Sequence, residues 1–210
     1  MDEAESVGLK MIGRKISGVS GRILITNIKP IYEGILKRSH IIDESSGYYE
    51  SAAISLTGGE YLMIRTTPGN AVVDILKLIR PVAGEISLVG LAGSLDDRFP
   101  IGSLICPNMA TEMSDLFVRR AIVGGNEDGG IICQTDGLLQ KTEFYEQLIE
   151  NKIDFVDMES FYLASACEDY GIRARTLSIV SDMPLVSPFY ADNDLSENLE
   201  GVLDKLANKL

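Results

Sequence analysis

The sequence contains one histidine and three cysteines, and these small numbers exclude several kinds of site. A histidine-rich metal site or a Ser-His-Asp triad would have to use His40, and no neighbouring residue supports either role. Cys106, Cys133 and Cys167 are far apart and form no C-x-x-C motif, so neither a zinc knuckle nor a disulfide framework is indicated. We therefore expect buried, reduced thiols in a cytosolic protein, with no metal site and no cofactor.

Basic residues are also scarce. The chain has 19 Lys and Arg against 31 Asp and Glu, a net charge of −12. Nucleic-acid binding needs a basic footprint, and so does docking on an anionic membrane surface, so neither partner is expected. No apolar stretch approaches the roughly 20 residues of a membrane span. The acidic start, "MDEAESVGLKMIGRK", lacks the apolar region of a signal peptide, which predicts a cytoplasmic protein.

The chain alternates strand-like with helix-like segments. Short β-branched runs such as "RILITN" at 22–27, "EISLVGL" at 85–91 and "ARTLSIV" at 174–180 are typical of buried strands. Apolar residues at 72, 75, 76 and 79 have the spacing of one helix face, and further helices are predicted at 111–123, 142–151, 157–170 and from residue 196. This alternation predicts an α/β fold, a three-layer α/β/α sandwich with a central mixed sheet. We expect an N-terminal extension at 1–21 and a single domain at 22–210.

Polar or glycine-rich clusters follow five of the segments and suggest a ligand site. In an open α/β sheet, ligands lie at the carboxyl ends of the strands, so these clusters could form one pocket holding Glu159 and Asp182. An acid at a helix start can instead be only a cap that the helix dipole stabilises, and that alternative stays open here. The clusters are "TTPGN" at 66–70, "GLAGS" at 90–94, "QTDG" at 134–137, "VDMES" at 156–160 and "SD" at 181–182.

The run "VDMESFYLASACEDYGIRARTLSIVSD" at 156–182 resembles the signature of the nucleoside phosphorylase and nucleosidase superfamily. That signature is a Met-Glu pair at a helix start, a small-residue helix, a strand and a Ser-Asp pair. The stretch at 80–107 resembles the glycine-rich strand end of the same family, and "TTPGNAVVDIL" at 66–76 resembles its Gly-x-Gly-x-x-Asn-Ala helix start. These blocks occur in the family's order, and the resemblance covers roughly residues 22 to 210.

The resemblance implies cleavage of the N-glycosidic bond of a nucleoside through a ribosyl cation-like transition state. It makes Asp182, beside Ser181, the acid that protonates a purine at N7, and burial must then keep this carboxyl protonated near neutral pH. It makes Glu159 the acceptor for ribose hydroxyls. Other residues are implied to contact the substrate: Met158 at the sugar, Leu138 and Leu139 at the base, and Gly69, Leu91, Ala92 and Gly93 at the glycine-rich strand ends.

The nucleophile is predicted from departures from the family pattern. Phosphorylases of the family typically carry Arg-x-Gly-Ser/Thr-x-Gly, but Leu88 and Leu91 stand at the arginine and hydroxyl positions here. An unpaired phosphate between apolar side chains is costly, which favours water and hence a nucleosidase acting on a purine-type, 5'-modified nucleoside. By resemblance the water-activating base is a glutamate after the first strand, for which Glu33 is the candidate. A phosphorylase, with Arg65 binding phosphate, and a non-catalytic nucleoside-binding protein remain alternatives.

The loop after Asp182, "MPLVSPFYADND", is unusually apolar. Leu185, Val186, Phe189 and Tyr190 must be covered by the core, by a ligand or by a partner. Members of the resembled family are usually dimers or larger. We therefore predict a twofold homodimer with Phe189 or Tyr190 near the interface or the pocket mouth.

Overall fold

One mixed β-sheet organises the residues that the computed structural model describes, namely 3–18, 21–113, 118–124, 129–189, 191 and 196–210. Eleven strands form this sheet within those residues. They are β1 (Arg22–Thr26), β2 (His40–Ser46), β3 (Glu50–Leu56), β4 (Gly59–Arg65), β5 (Glu85–Ser94), β6 (Leu104–Ile105), β7 (Met109–Met113), β8 (Val118–Ile122), β9 (Ile131–Gln134), β10 (Phe155–Asp157) and β11 (Arg173–Asp182). The helices are α1 (Glu3–Ile12), α2 (Lys29–Arg38), α3 (Ala71–Ile79), α4 (Thr142–Glu150), α5 (Ser160–Tyr170) and α6 (Ser196–Lys209).

Strand β5 is the centre of the sheet. Along the main path the strands follow the order β2-β3-β4-β1-β5-β10-β9-β7-β8, and β11 pairs with β5 and with β6. The first half of β5 runs parallel to β1, its last two residues run antiparallel to β10, and β11 runs parallel to nearly its whole length. The carboxyl ends of β1, β5 and β11 therefore meet at one edge of the sheet.

Helices cover both faces of the sheet. On β1, Ile23 and Ile25 belong to the same buried cluster as the predicted apolar face of α3, while Leu24 belongs to the cluster that includes the buried side chains of α2 and α6. Alternate residues of a strand point to opposite faces, so these two clusters are the two apolar layers of a sandwich. The predicted α/β/α architecture with a mixed sheet is confirmed.

The predicted helix at 111–123 is wrong. This part of the chain forms the antiparallel strands β7 and β8, and β7 is also hydrogen-bonded in parallel to β9. Pairing with β9 supplies backbone partners that a sequence pattern cannot reveal, and it overrides the helical spacing of the apolar residues. Leu116 and Phe117, which the predicted helix face would have used, lie outside the described residues.

Helix α5 begins at Ser160, because Asp157 still belongs to β10. It ends as predicted at Gly171, whose φ of +66° lies in the left-handed region that glycine adopts without strain.

Part of the predicted N-terminal extension packs against the domain. Helix α1 ends at Ile12, which is fully buried in the same cluster as α3, and Ile16 is buried as well. A domain boundary at residue 21 stays a prediction. Among the helices of the described residues, none has the length and apolarity that crossing a membrane requires.

Candidate active site

A cavity of about 330 Å³ lies where β1, β5, β10 and β11 end. Most of the residues predicted to bind a substrate line it. They are Leu91, Ala92, Gly93, Leu138, Met158, Glu159, Ser181 and Asp182. Another cavity, of about 380 Å³, has Asp96, Asp97 and Asp154 in its wall and none of the predicted site residues among its described lining residues. The strand-end cavity is therefore the candidate active site.

Glu159 is a buried carboxylate that three chain segments hold in place. It is the residue before α5, and its Oε1 accepts hydrogen bonds from Nδ2 of Asn27 at 2.9 Å and from the backbone N–H of Gly69 at 2.8 Å. Gly69 has a φ of +80°, a conformation that a residue with a side chain adopts only with strain. Burial raises the pKa of Glu159, while the donors from Gly69, Met158 and Asn27 act in the opposite direction.

Asp182 is the carboxyl group at the end of β11. It is buried, and its Oδ1 accepts a hydrogen bond of 2.6 Å from the hydroxyl of Ser181. Burial raises the pKa of Asp182, and hydrogen bonds from Ser181 and from the backbone of Phe189 offset part of that rise. A carboxyl group of this kind is suited to donate a proton at a pH where an exposed aspartate would already be ionised.

Gly93 lies between the two segments that carry Glu159 and Asp182. On one edge of β5 it pairs with Val156, and on the other edge it pairs with Asp182. A Cβ atom placed on Gly93 would lie 2.9 Å from Cγ2 of Val156 and 3.0 Å from Cγ of Pro184, which is too close without movement. Only glycine lets the two flanking segments approach β5 this closely.

Asp157 is a third buried carboxyl group in the cavity wall, and it was not among the predicted site residues. It accepts hydrogen bonds from the backbone N–H of Ser160 at 3.1 Å and from the Ser160 hydroxyl. The hydroxyl of Thr176 donates in turn to that of Ser160 at 3.3 Å. Burial, and then the nearby charge of Glu159, raise the pKa of Asp157. The two carboxyl groups therefore oppose each other's ionisation.

Three predicted site residues, Gly69, Leu139 and Glu33, are not among the described residues that line this cavity. Leu139 is 72% exposed, whereas its neighbour Leu138 lines the wall. Glu33 is exposed on α2 and forms an ion pair with Lys29 at 3.6 Å. Helix α2 already begins at Lys29, so Glu33 is on its second turn and on the side opposite the buried Ile31 and Ile35. The structure does not bring Glu33 to Glu159 and Asp182.

The cavity offers little to a phosphate ion. None of its described lining residues is Lys, Arg or His. Leu88 is buried in the core beneath the sheet edge, and Arg65 forms an ion pair with Glu50 instead of lining the cavity. Within the part of the chain that the structure describes, no group of three His, Cys, Asp or Glu residues could hold a metal ion.

Sequence reasoning missed Asn27, although a signal for it exists. Asn27 directly follows β1, so the strand-end rule that pointed to Glu159 and Asp182 also applies to it. Tyr145, from α4, and Phe189 also line the cavity. Phe189 belongs to the apolar loop for which a position near the interface or the pocket mouth is predicted, whereas no sequence pattern assigns Tyr145 to the pocket wall.

This sheet order, with its helices on both faces and its strand-end cavity, is the nucleoside phosphorylase/nucleosidase fold. The resemblance that the motifs indicated is confirmed at the level of the fold. Solved structures similar to this chain include the futalosine hydrolase of Helicobacter pylori, with a TM-score of 0.70, 15% identity, and coverage of 90% of this chain and 95% of that one.

Two nucleosidases are comparably similar. The 5'-methylthioadenosine/S-adenosylhomocysteine nucleosidase of Neisseria meningitidis, solved with methylthio-immucillin-A, gives a TM-score of 0.70 at 15% identity, covering 89% of this chain and 94% of that one. The corresponding nucleosidase of Campylobacter jejuni gives 0.69 at 14% identity, covering 91% and 96%. No protein-family model matches the chain, and no curated protein matches its sequence at a significant level.

Proposed function

We propose that this protein is a nucleosidase that hydrolyses the N-glycosidic bond of a purine-type nucleoside with a modified 5' position. The observation that carries the proposal is one cavity with two differently held acids, Glu159 and Asp182, and no cationic side chain among its described lining residues. A hydrolase needs an acid for the base and an acceptor for the sugar, but it needs no phosphate site.

In this proposal Asp182 is the general acid. Because its pKa is raised, Asp182 keeps a proton, and it gives this proton to N7 of the purine as the C1'–N9 bond breaks. The electron pair of that bond goes to the base, and positive charge develops on the sugar. The negative charge of Glu159 stabilises this sugar cation while Glu159 accepts a hydrogen bond from a sugar hydroxyl. Water adds to C1' and releases a proton to solvent, and Asp182 regains one, so the reaction is balanced.

The apolar part of the wall supports a modified 5' position. Ile28 and Pro68 line the cavity beside Asn27 and Gly69, the two residues that hold Glu159. The sugar end of the site is therefore bordered by apolar groups, which suit an apolar 5' substituent better than a free hydroxyl. Two of the similar structures are nucleosidases of 5'-methylthioadenosine, a nucleoside of this class.

The test is release of free base from 5'-methylthioadenosine, S-adenosylhomocysteine, futalosine, adenosine and inosine, each with and without inorganic phosphate. Chromatography measures the base and mass spectrometry identifies the sugar product. We expect base and free sugar at a rate that phosphate does not change. A ribose 1-phosphate product would make the protein a phosphorylase and would assign Arg65 a role.

A non-catalytic nucleoside-binding protein is the second candidate. Glu33, the predicted water-activating base, is exposed and paired with Lys29, which favours this reading. Calorimetry with the same five nucleosides separates the two functions. Binding without release of base would replace the nucleosidase by the binding protein.

We also propose that the protein is a homodimer in the cytoplasm. Leu185, Val186 and Phe189 are exposed on the loop after β11; Phe189 lines the strand-end cavity, and Leu185 and Val186 line the other cavity. A second subunit on this loop would cover apolar surface that a lone chain leaves in water. Tyr190, the other residue predicted there, lies outside the described residues. The three cysteines are free and buried, which fits a reducing compartment.

A further inference from the structure

Asn27 connects the first strand of the sheet to the carboxylate that faces the sugar. It stands directly after β1 in the cavity wall, and its Nδ2 donates to Oε1 of Glu159 at 2.9 Å. The two residues are 132 positions apart in sequence. This contact joins two distant segments inside the candidate site, and it restricts the orientation of the Glu159 carboxylate.

Two donors from other segments of the chain act on the same oxygen of Glu159. The N–H of Gly69 reaches Oε1 at 2.8 Å, and Asn27 reaches it at 2.9 Å. Two donors on one oxygen fix the rotation of the carboxylate, and with it the direction from which a sugar hydroxyl can donate to Glu159. Hydrogen bonds to a charged group are about twice as strong as neutral ones, so this anchoring also favours the ionised form in a buried site.

We infer that Asn27 is a positioning residue that fixes the orientation of Glu159 and thereby sets how tightly the site holds the sugar of its substrate. This inference rests on the proposed nucleosidase function. Asn27 need not touch the reacting atoms, because it acts through Glu159. The Gly69 donor is a backbone N–H that only proline would remove, and proline cannot adopt the φ of +80° found there, so Asn27 is the one of the two that mutagenesis can test.

The test compares N27A with N27D. N27A removes the donor, and N27D keeps the shape of the side chain but replaces the donor with a second acceptor beside Glu159. If Asn27 only filled space, N27D would be the milder change. If Asn27 donates to Glu159, N27D is the more harmful change near neutral pH, because two carboxylates then face each other.

The probes are 5'-methylthioadenosine, or whichever nucleoside of the panel the wild type hydrolyses fastest, and its free base as an inhibitor. We expect N27A to lower kcat/KM by roughly 10- to 100-fold, the effect of one hydrogen bond to a charged group. N27D should lower it further. The inhibition constant of the free base should stay within about twofold in both variants, because the base has no hydroxyl for Glu159 to bind.

The pH profile of N27A provides a second readout. Losing a donor to its ionised form raises the pKa of Glu159, so activity on the acid side should be lost at a higher pH than in the wild type. Matched controls are N151A and N151D, at the exposed asparagine that ends α4, which should leave both readouts unchanged.

The outcomes separate the inference from the function on which it rests. A wild type that releases no base from any nucleoside overturns both. A wild type that is active, with N27D milder than N27A or with nucleoside and free base weakened equally, overturns the inference alone. If N27A does not fold, as judged by circular dichroism, the isosteric N27D decides, and activity within about twofold of wild type then overturns the inference.

Discussion

The hydroxyl of Ser181 donates a hydrogen bond of 2.6 Å to Oδ1 of Asp182, its neighbour at the end of β11. One oxygen of this buried carboxyl group is thereby occupied by a fixed donor. In the proposed reaction, Ser181 orients the carboxyl group and Asp182 transfers the proton.

D182N is expected to lower kcat by roughly 10²- to 10⁴-fold, the range typical of a lost general acid. The amide has nearly the same shape and can still form hydrogen bonds, but it cannot give up a proton to N7. Initial rates of base release on the best substrate measure the effect. A variant that keeps a third or more of wild-type activity would remove Asp182 from the mechanism.

S181A should move the alkaline limit of activity to higher pH. Asp182 acts as an acid, so activity falls as the pH rises through its pKa. The Ser181 hydroxyl lowers that pKa, and its removal therefore raises it. The measurement is kcat against pH for wild type and S181A under identical buffers. An alkaline limb that stays in place, or moves to lower pH, contradicts the assignment.

D157N should become more stable relative to the wild type as the pH rises. Folding raises the pKa of Asp157, so the native state binds this proton more tightly than the unfolded chain does. The contribution is fully favourable below the unfolded value of about 3.9 and is lost as the pH rises toward the raised value. Asparagine cannot ionise, yet its carbonyl can still accept from Ser160.

Urea unfolding at about pH 5 and about pH 8 measures this effect. The free energy of unfolding of D157N relative to wild type should rise by about 1.4 kcal/mol for each pH unit below the raised pKa of about 8, because the native group stays protonated over that range. D169N, at an exposed position of α5, is the control and should show no such change. A difference for D157N that is equal at both pH values would show that Asp157 ionises normally in the fold.

V186D should dissociate the proposed dimer. Val186 is 78% exposed in a single chain, and a charge placed there would have to be buried in an interface that covers this loop. Light scattering at low micromolar concentration should give twice the chain mass of 22.9 kDa for the wild type and the chain mass for V186D. Y48D, at an exposed aromatic residue in the β2–β3 turn, should remain dimeric. A wild-type mass near 22.9 kDa would mean that the loop needs no second chain.

The elements that sequence predicted correctly are those in which local pattern and burial agree. The four apolar residues that predicted one face of α3, at 72, 75, 76 and 79, are all fully buried. Strands β5 and β11 are long apolar strands in the middle of the sheet. Strand β2 shows the opposite case, because "HIIDESS" is almost entirely exposed and has no alternation to detect. It is a strand only because β3 pairs with it.

Some residues of the candidate site were also predictable from the sequence, and others were not. Glu159 and Asp182 stand at strand ends that a motif marks, and the fold brings them into one cavity. Glu33 was chosen as the only acid after β1, but α2 starts too early and carries it into solvent. Asn27 lies closer to the strand end and reaches Glu159. Which of two nearby polar residues enters a site depends on where a helix begins, and sequence marks that point poorly.

Gly93 has one further consequence, for the range of molecules that the cavity can hold. Because Gly93 pairs with Val156 of β10 on one side and with Asp182 of β11 on the other, the backbone sets the span between the segment that leads into Glu159 and the segment that ends in Asp182. Changes in the surrounding side chains cannot lengthen or shorten that span without breaking the backbone hydrogen bonds between β5 and its neighbours. Variation among ligands must therefore be accommodated sideways, at Ile28, Leu138 and Phe189, where the wall is made of side chains. In the proposed nucleosidase, the backbone would set the distance between the two acids, and the side chains of the wall would decide which ligands fit.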